Sequence, residues 1–120
     1  MRIYLAGPMR GYPNFNFPAF DYASAKLRAE GHFVFSPAER DREAYGAEIE
    51  DNPTGDEAKV KNAACTINDC MLADTKWICE NADAIALLPG WEKSSGANAE
   101  LALGKALGLT YMVLGKEYIQ

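Results

Sequence analysis

Cysteine and histidine are scarce in this sequence of 120 residues, which contains three cysteines and one histidine, His32. The cysteines, Cys65, Cys70 and Cys79, are odd in number, form no C-x-x-C pair and match no metal-ligand spacing. We therefore expect idle thiols in a reducing compartment rather than a disulfide framework. We also expect no metal site and no cofactor.

Positive charge is also in short supply. The sequence has 12 Lys and Arg residues against 17 Asp and Glu residues, which gives a formal net charge of −5. Because neutralising the phosphates of a nucleic acid requires a basic surface, this balance argues against nucleic acid as a partner. A small anionic ligand remains compatible with it, because a local cluster of donors can oppose the net charge.

Long apolar runs are lacking as well. No segment approaches the roughly 20 apolar residues needed to span a bilayer, so we expect no membrane partner. Residues 1–7 resemble the start of a signal peptide, but Pro8, Arg10 and Gly11 interrupt the run before a full apolar region forms. The length suits one hydrophobic core. We therefore expect a soluble, cytoplasmic protein with a single domain over residues 1–120.

Short apolar runs are present, and they alternate with segments of helical periodicity. Runs with the length and borders of buried strands lie at residues 2–6, 32–35, 84–88 and 109–114. Apolar positions at helical spacing predict helices at residues 19–30, at about residues 56–81, and from Ser94 or Ser95 to about residue 107. The acidic segment 38–57 has no clean period. We expect it to form a variable loop or short helix over one face of the domain.

This alternation predicts an α/β fold with a doubly wound, Rossmann-like (flavodoxin-like) parallel sheet and helices on both faces. We expect four strands in the order 2-1-3-4, with residues 115–120 available as a fifth, edge strand or as a subunit contact. Ligands of such sheets bind beyond the carboxyl ends of the strands, where the strand order reverses. The loops that meet there are residues 7–15 and 89–95, so we expect the chemistry in or beside them.

Glu100 lies on an apolar stripe of the last predicted helix, together with Leu103, Gly104 and Leu107. A carboxylate facing a core is costly unless an interaction compensates for its burial. Its position in the first turns of the helix favours the ionised form. An ionised carboxylate facing the ligand crevice suits a nucleophile. The alternative is a solvated glutamate at the edge of the stripe, paired with a lysine.

Asp74 lies on the apolar stripe of the preceding helix, between Met71 and Trp77. Desolvation and the negative end of the helix dipole both disfavour its charged form, so we expect a raised pKa. One charged and one protonated carboxyl group form the nucleophile and general acid of a retaining glycoside hydrolase. The alternative is a simple ion pair of Asp74 with Lys76 or Arg28.

The predicted crevice also contains candidates for substrate binding. The first loop carries Gly7, Met9 and Arg10, where a glycine allows close approach of the backbone and an arginine can bind a phosphate. Ser94 adds a hydroxyl group and helix amides that suit an anion. A turn glycine and a capping serine are also common for purely structural reasons.

Four sequence motifs together resemble the nucleoside 2-deoxyribosyltransferase superfamily, and in particular its small phage and bacterial members of unassigned function. The motifs are IYLAGP at residues 3–8, DTKWI at 74–78, NADAIA at 81–86 and S-x-G-x-x-x-E-L at 94–101. The resemblance covers most of the chain in order, apart from residues 38 to about 59. The last motif is the most specific, because its serine and glutamate spacing carries chemistry.

The resemblance implies roles for individual residues. Glu100 matches the nucleophile that forms a covalent glycosyl-enzyme intermediate, Tyr4 the tyrosine that orients it, and Asp74 the carboxyl group that serves the departing base. Ser94 and Gly96 match the approach to the signature helix. For Tyr4, simple core packing is the structural alternative. The superfamily's sites borrow residues across a dimer interface, so the resemblance also implies a homodimer or a higher homo-oligomer.

Two activities within the superfamily compete, and the residue six positions before the nucleophile separates them. Deoxyribosyltransferases carry an acidic residue there, whereas the 2′-deoxynucleoside 5′-phosphate N-hydrolases carry a serine there and an arginine in the first loop. Ser94 and Arg10 match the second pattern. The resemblance therefore implies hydrolysis of a nucleoside 5′-monophosphate to the free base. A base-exchanging transferase and a nucleotide-binding module without catalysis are the alternatives.

Overall fold

The computed structural model describes residues 1–45, 55 and 67–119. Strands and α-helices alternate along this part of the chain for most of its length. In chain order the elements are β1 (Arg2–Ala6), α1 (Phe17–Ala29), β2 (Phe33–Phe35), α2 (Pro37–Tyr45), α3 (Ile67–Asn81), β3 (Ala84–Leu87), α4 (Ser95–Ala106) and β4 (Thr110–Val113). Short 3-10 turns at Pro13–Asn16, Trp91–Lys93 and Lys116–Tyr118 complete the described elements.

The described strands form one parallel sheet with the order β2-β1-β3-β4. Tyr4, in the middle of β1, lies opposite Phe35 of β2 and Ile85 of β3. The prediction of a doubly wound α/β fold with this strand order is confirmed. Lys116–Tyr118 is a 3-10 turn, so the expected fifth strand does not form there.

The alternation of side chains along β1 divides the core in two. Ile3 and Leu5 pack on the face covered by α1, whereas Tyr4 and Ala6 pack on the opposite face with residues of α3 and α4. The inner strands β1 and β3 are therefore apolar on both faces, as is typical of buried parallel strands. This register places the Tyr4 side chain beneath α3 and α4.

Helix α4 begins at the predicted serine pair. The Ser94 hydroxyl caps it by accepting a hydrogen bond from the Ala97 N–H at 3.2 Å, so Ser94 rather than Ser95 is the cap. The predicted stripe is right at Glu100 and Gly104, which are buried. It is wrong at Leu107, which is 47% exposed, because the helix ends at Ala106 and the chain turns away towards β4.

The acidic segment 38–57 is helical over its first part, where Pro37–Tyr45 forms α2 and packs against α1. Gly55 is buried, and its carbonyl accepts a hydrogen bond from the Gly11 N–H of the first loop at 3.0 Å. The expectation of a short helix is therefore confirmed for residues 38–45. The remainder of this segment, the predicted helical residues 56–66 and Cys65 lie outside the described residues.

Candidate active site

Tyr4 and Glu100 meet inside the domain, although 96 positions separate them in the sequence. The Tyr4 hydroxyl donates a hydrogen bond of 2.6 Å to Glu100 Oε2. Tyr4 is fully buried and Glu100 is only 6% exposed. Glu100 is therefore not a solvated surface residue. Tyr4 therefore does more than fill the core, because its hydroxyl group also makes a buried polar contact.

Asp74 lies near the middle of α3 and, like Glu100, is 6% exposed. Its Oδ1 atom lies 3.1 Å from Nε of Arg40 in an ion pair, and within the described residues neither atom has a hydrogen-bond partner. The contact is therefore mainly one of opposite charges. The alternative of an ion pair with Arg28 does not hold, because Asp74 contacts Arg40 and Arg28 pairs with Glu39 at 2.6 Å.

Arg40 is the residue of this site that the sequence did not reveal. It lies in the first half of α2, forms a close ion pair with Asp41 and also contacts Cys70 of α3. Its segment has no clean apolar period, so nothing in the sequence marks which of its arginines points inward. Only the packing of α2 beside α3 brings Arg40 to Asp74.

Burial dominates the ionisation of Glu100. Its pKa is raised to about 8, mainly by desolvation and to a smaller extent by the negative charge of Asp74. The hydrogen bond from Tyr4 and the charge of Arg40 oppose this shift without cancelling it. The expectation that the helix dipole keeps Glu100 ionised is therefore wrong at neutral pH, because the loss of hydration outweighs the dipole.

The neighbouring acids respond in the same way. Burial raises the pKa of Asp74, against the positive charge of Arg40, and this is the expected direction. Burial also raises the pKa of Asp41 to about 6. The pKa of Tyr4 is raised by burial and by the negative charges of Glu100 and Asp74. Near neutral pH Glu100 therefore keeps a proton that it would release in water.

Aromatic rings enclose this cluster on the side of β2. The Tyr4 ring stacks on Phe35 with 5.5 Å between centroids, and Phe35 stacks on Trp77 at 4.9 Å. Next to them a groove of about 270 Å³ opens between β2, α2 and Trp77. Its lining includes Arg40 and the buried hydroxyl of Ser36, which has no hydrogen-bond partner in the described part of the chain. Arg40 therefore connects the groove to Asp74.

A family model described as a domain of unknown function, DUF4406, matches residues 1–113. The chain belongs to the DUF4406 family. The match includes every element that carries Tyr4, Arg40, Asp74 and Glu100. Comparisons with curated proteins and with solved structures give no match.

The predicted substrate-binding residues of this DUF4406 domain lie in different surroundings. Ser94 caps α4, and a Cβ atom added to Gly96 would meet no atom within 4 Å. A Cβ at Gly7 would lie 2.8 Å from Leu88 Cβ, so this glycine allows the first loop to pack on the end of β3. Arg10 is exposed in the first loop. Met9 packs against the core on the α1 face, not against the Tyr4 side.

The two loops that border the predicted crevice contact each other. A Cβ at Gly90 would lie 2.7 Å from the Tyr12 hydroxyl and 3.2 Å from Pro8 Cγ. Gly90 has a φ of +90°, which only glycine adopts readily. The first loop and the loop after β3 are therefore held together beside the carboxyl ends of β1 and β3.

The described residues bear on metal and thiol chemistry as well. Within the described residues, no three His, Cys, Asp or Glu side chains are grouped to hold a metal ion. Cys70 is half-buried and Cys79 is exposed, and neither forms a disulfide within the part of the chain that the structure describes. None of the helices that the structure describes is both long and apolar enough to cross a bilayer.

Proposed function

We propose that this DUF4406 domain hydrolyses the N-glycosidic bond of a nucleoside or 2′-deoxynucleoside 5′-monophosphate and releases the free base. The observation that carries the proposal is the buried hydrogen bond between Tyr4 and Glu100, with Asp74 in the same cluster. The resemblance to the nucleoside 2-deoxyribosyltransferase superfamily assigns a role to each of these residues. The substrate is a small molecule, and neither nucleic acid nor membrane is a partner.

In the first step, a carboxylate oxygen of Glu100 attacks the anomeric carbon of the sugar while the bond to the base nitrogen breaks. Asp74 donates its proton to the departing base. Tyr4 holds Oε2 of Glu100, which leaves Oε1 as the attacking oxygen. The products of this step are the free base and a sugar esterified to Glu100.

In the second step, water attacks the same anomeric carbon and displaces Glu100. Asp74, now a carboxylate, takes a proton from the water as the new C–O bond forms. The sugar phosphate is released, Glu100 is a carboxylate again and Asp74 is protonated again. The exchange of roles by Asp74 is the usual pattern of a retaining glycosidase.

The unusual protonation of the cluster supports an active site over simple packing. Two buried carboxyl groups within one core are unfavourable for folding unless an interaction compensates. Strongly perturbed pKa values, as at Glu100, concentrate at functional sites. The same observation also favours a second candidate, a nucleotide-binding module without catalysis, because a protonated Glu100 is a poor nucleophile.

A panel of nucleoside 5′-monophosphates and nucleosides, analysed by chromatography for free base, tests the proposal. We expect wild-type protein to release base, Glu100→Gln to lose at least ~10³-fold in kcat while still binding the nucleotide, and Glu80→Gln, an exposed control on α3, to behave as wild type. If no compound is cleaved but one binds equally to wild type and Glu100→Gln, the domain is a binding module. If an added second base yields a new nucleoside faster than hydrolysis, it is a transferase.

The phosphate preference has its own test at Ser94. Ser94→Asp keeps a side chain that caps α4, so we expect thermal stability close to that of wild type. Its carboxylate would repel a substrate phosphate, so we expect a KM for the nucleotide raised by about 10-fold or more, with that for the nucleoside unchanged. Ser95→Asp, at the exposed first residue of the helix, is the matched control. An equal effect on both substrates would contradict a phosphate at Ser94.

We further propose that the domain acts as a homodimer or a higher homo-oligomer in the cytoplasm. The support is the resemblance, since the superfamily completes its sites across a subunit interface. Sedimentation equilibrium measures this directly, with a mass of at least twice the 13.1 kDa of one chain expected. A mass of one chain at micromolar concentration would contradict it.

A further inference from the structure

The charges of the buried cluster do not balance if every acid is ionised. Glu100 and Asp74 interact with Tyr4, and Asp74 and Asp41 each form an ion pair with Arg40. The groups that face one another come from four elements. They are Tyr4 of β1, Arg40 and Asp41 of α2, Cys70 and Asp74 of α3, and Glu100 of α4. Some of the acids must therefore keep protons, and the position of Arg40 bears on which of them do.

We propose that Arg40 is a positioning residue that determines which of the two carboxyl groups, Asp74 or Glu100, holds the proton they share. The effect of Arg40 on catalysis rests on the proposed function. Its effect on the proton does not, because that effect is measured without substrate. Arg40 does not touch the substrate in this role. It acts through Asp74.

The argument follows from distance. Nε of Arg40 lies 3.1 Å from Asp74 Oδ1, whereas Arg40 affects Glu100 only as the weakest of four influences on that residue. Because the attraction between charges falls with separation, Arg40 stabilises a charged Asp74 more than a charged Glu100. In the resting site, the single proton of the pair therefore stays on Glu100, and Asp74 is the carboxylate.

Catalysis requires the opposite arrangement, with Glu100 charged and Asp74 protonated. The Tyr4 hydroxyl lies between the two groups: it donates to Glu100 Oε2 at 2.6 Å and also influences the ionisation of Asp74. The Tyr4 hydroxyl also hydrogen-bonds to Asp74. Once its hydrogen turns from Glu100 to Asp74, the protonated Glu100 becomes the donor to the Tyr4 oxygen, and it can pass its proton to that oxygen while Tyr4 passes its hydroxyl proton to Asp74. One proton moves from Glu100 to Asp74, and Tyr4 is unchanged. The strength of the Arg40 contact with Asp74 sets how unfavourable this transfer is.

The test uses Arg40→Gln, which removes the charge, and Arg40→Lys, which keeps it. Arg42→Gln is the control, because Arg42 lies on the same helix but pairs with Asp21 outside the cluster. The side-chain carboxyl carbons of Asp74 and Glu100 are followed by ¹³C NMR between pH 3 and 10 in the absence of substrate. In wild type we expect Asp74 to lose its proton at a lower pH than Glu100.

In Arg40→Gln we expect the gap between the two midpoints to narrow by about one pH unit or more, because Asp74 loses its counter-charge. Arg40→Lys, which keeps the positive charge, should retain more of this difference between the midpoints than Arg40→Gln does. Arg42→Gln should retain all of it. An unchanged gap in folded Arg40→Gln overturns the proposal. If Arg40→Gln does not fold by circular dichroism, Arg40→Met, which keeps an aliphatic side chain of similar reach, is titrated instead under the same criterion.

The pH profile of kcat separates this inference from the proposed function. Removing a positive charge raises the pKa of both carboxyl groups, so we expect the optimum of Arg40→Gln to move upward by about one pH unit. A uniform loss of activity at every pH would mean that Arg40 is only structural. If the titration midpoints of Asp74 and Glu100 move closer together in Arg40→Gln but the wild-type protein shows no turnover, the role of Arg40 is supported and the proposed catalytic function is contradicted. If the wild-type protein shows turnover but the two midpoints keep their separation in Arg40→Gln, the catalytic function is supported and the role of Arg40 is contradicted.

Discussion

At the scale of single residues, Tyr4 and Glu100 illustrate how a polar contact is hidden in an apolar pattern. Tyr4 alternates with Ile3 and Leu5 in a strand that is buried on both faces, and its ring stacks on Phe35. A phenylalanine would satisfy that packing equally well. The hydroxyl is useful here because it reaches the buried carboxyl group of Glu100.

Tyr4→Phe removes this donor and keeps the ring. We expect a loss of about 1–3 kcal/mol in the free energy of unfolding, because a buried carboxyl oxygen loses its partner. We also expect the pKa of Glu100 to rise further above 8, since the Tyr4 hydrogen bond lowers it. Urea unfolding and the acid limb of the kcat profile are the measurements. Tyr111→Phe, on exposed β4, should change the free energy of unfolding by less than about 0.5 kcal/mol.

At the scale of elements, α4 was easier to predict from sequence than α2. Helix α4 has a capping serine, a glycine after its end and apolar residues at helical spacing, all of which are local signals. Helix α2 has little apolar character, and its inward-facing Arg40 depends on the neighbouring α3. The position of α4 against the sheet, and hence of Glu100, also depends on how closely the helix can approach β3.

Gly104 allows that approach. A Cβ atom at Gly104 would lie 2.7 Å from Ile85 Cγ1, and Ile85 is fully buried in β3. Alanine favours helix by about 1 kcal/mol over glycine, but overpacking a core costs about 1–3 kcal/mol. We therefore expect Gly104→Ala to lower the melting temperature and to reduce activity by displacing Glu100.

Gly96→Ala is the matched control on the same helix, because its Cβ would meet no atom within 4 Å. We expect it to leave the melting temperature unchanged or to raise it slightly. Differential scanning calorimetry of both variants measures the contrast. Equal melting temperatures for Gly104→Ala and Gly96→Ala would show that α4 is not held against Ile85 as closely as described.

At the scale of the whole molecule, the buried acids link folding stability to pH. Glu100 ionises near its ordinary pKa of 4.5 in the unfolded chain and near 8 in the folded one. Between these values the folded state binds more protons than the unfolded state, so the free energy of unfolding falls as pH rises. One such group changes it by at most about 1.4 kcal/mol per pH unit.

Urea unfolding at pH 6, 7 and 8 tests this, because the raised pKa of Asp41, about 6, affects mainly lower pH. We expect the free energy of unfolding of wild type to fall more steeply over this range than that of Glu100→Gln, which cannot ionise at this position. Glu80→Gln should follow wild type. If the free energy of unfolding depends on pH equally in wild type and Glu100→Gln, Glu100 is not protonated in the folded protein.

The sequence by itself determined the α/β alternation, the strand order, a serine cap for α4 at position 94 or 95, and the candidacy of Glu100, Asp74 and Tyr4. These depend on periodicity, turn residues and motif spacing, which are local properties of the chain. Only the tertiary structure decided that Arg40 meets Asp74 and that burial raises the pKa of Glu100 to about 8. The physical reason is that desolvation and charge interactions depend on distances between elements remote in sequence, and those distances exist only once α2, α3 and α4 are packed on the sheet.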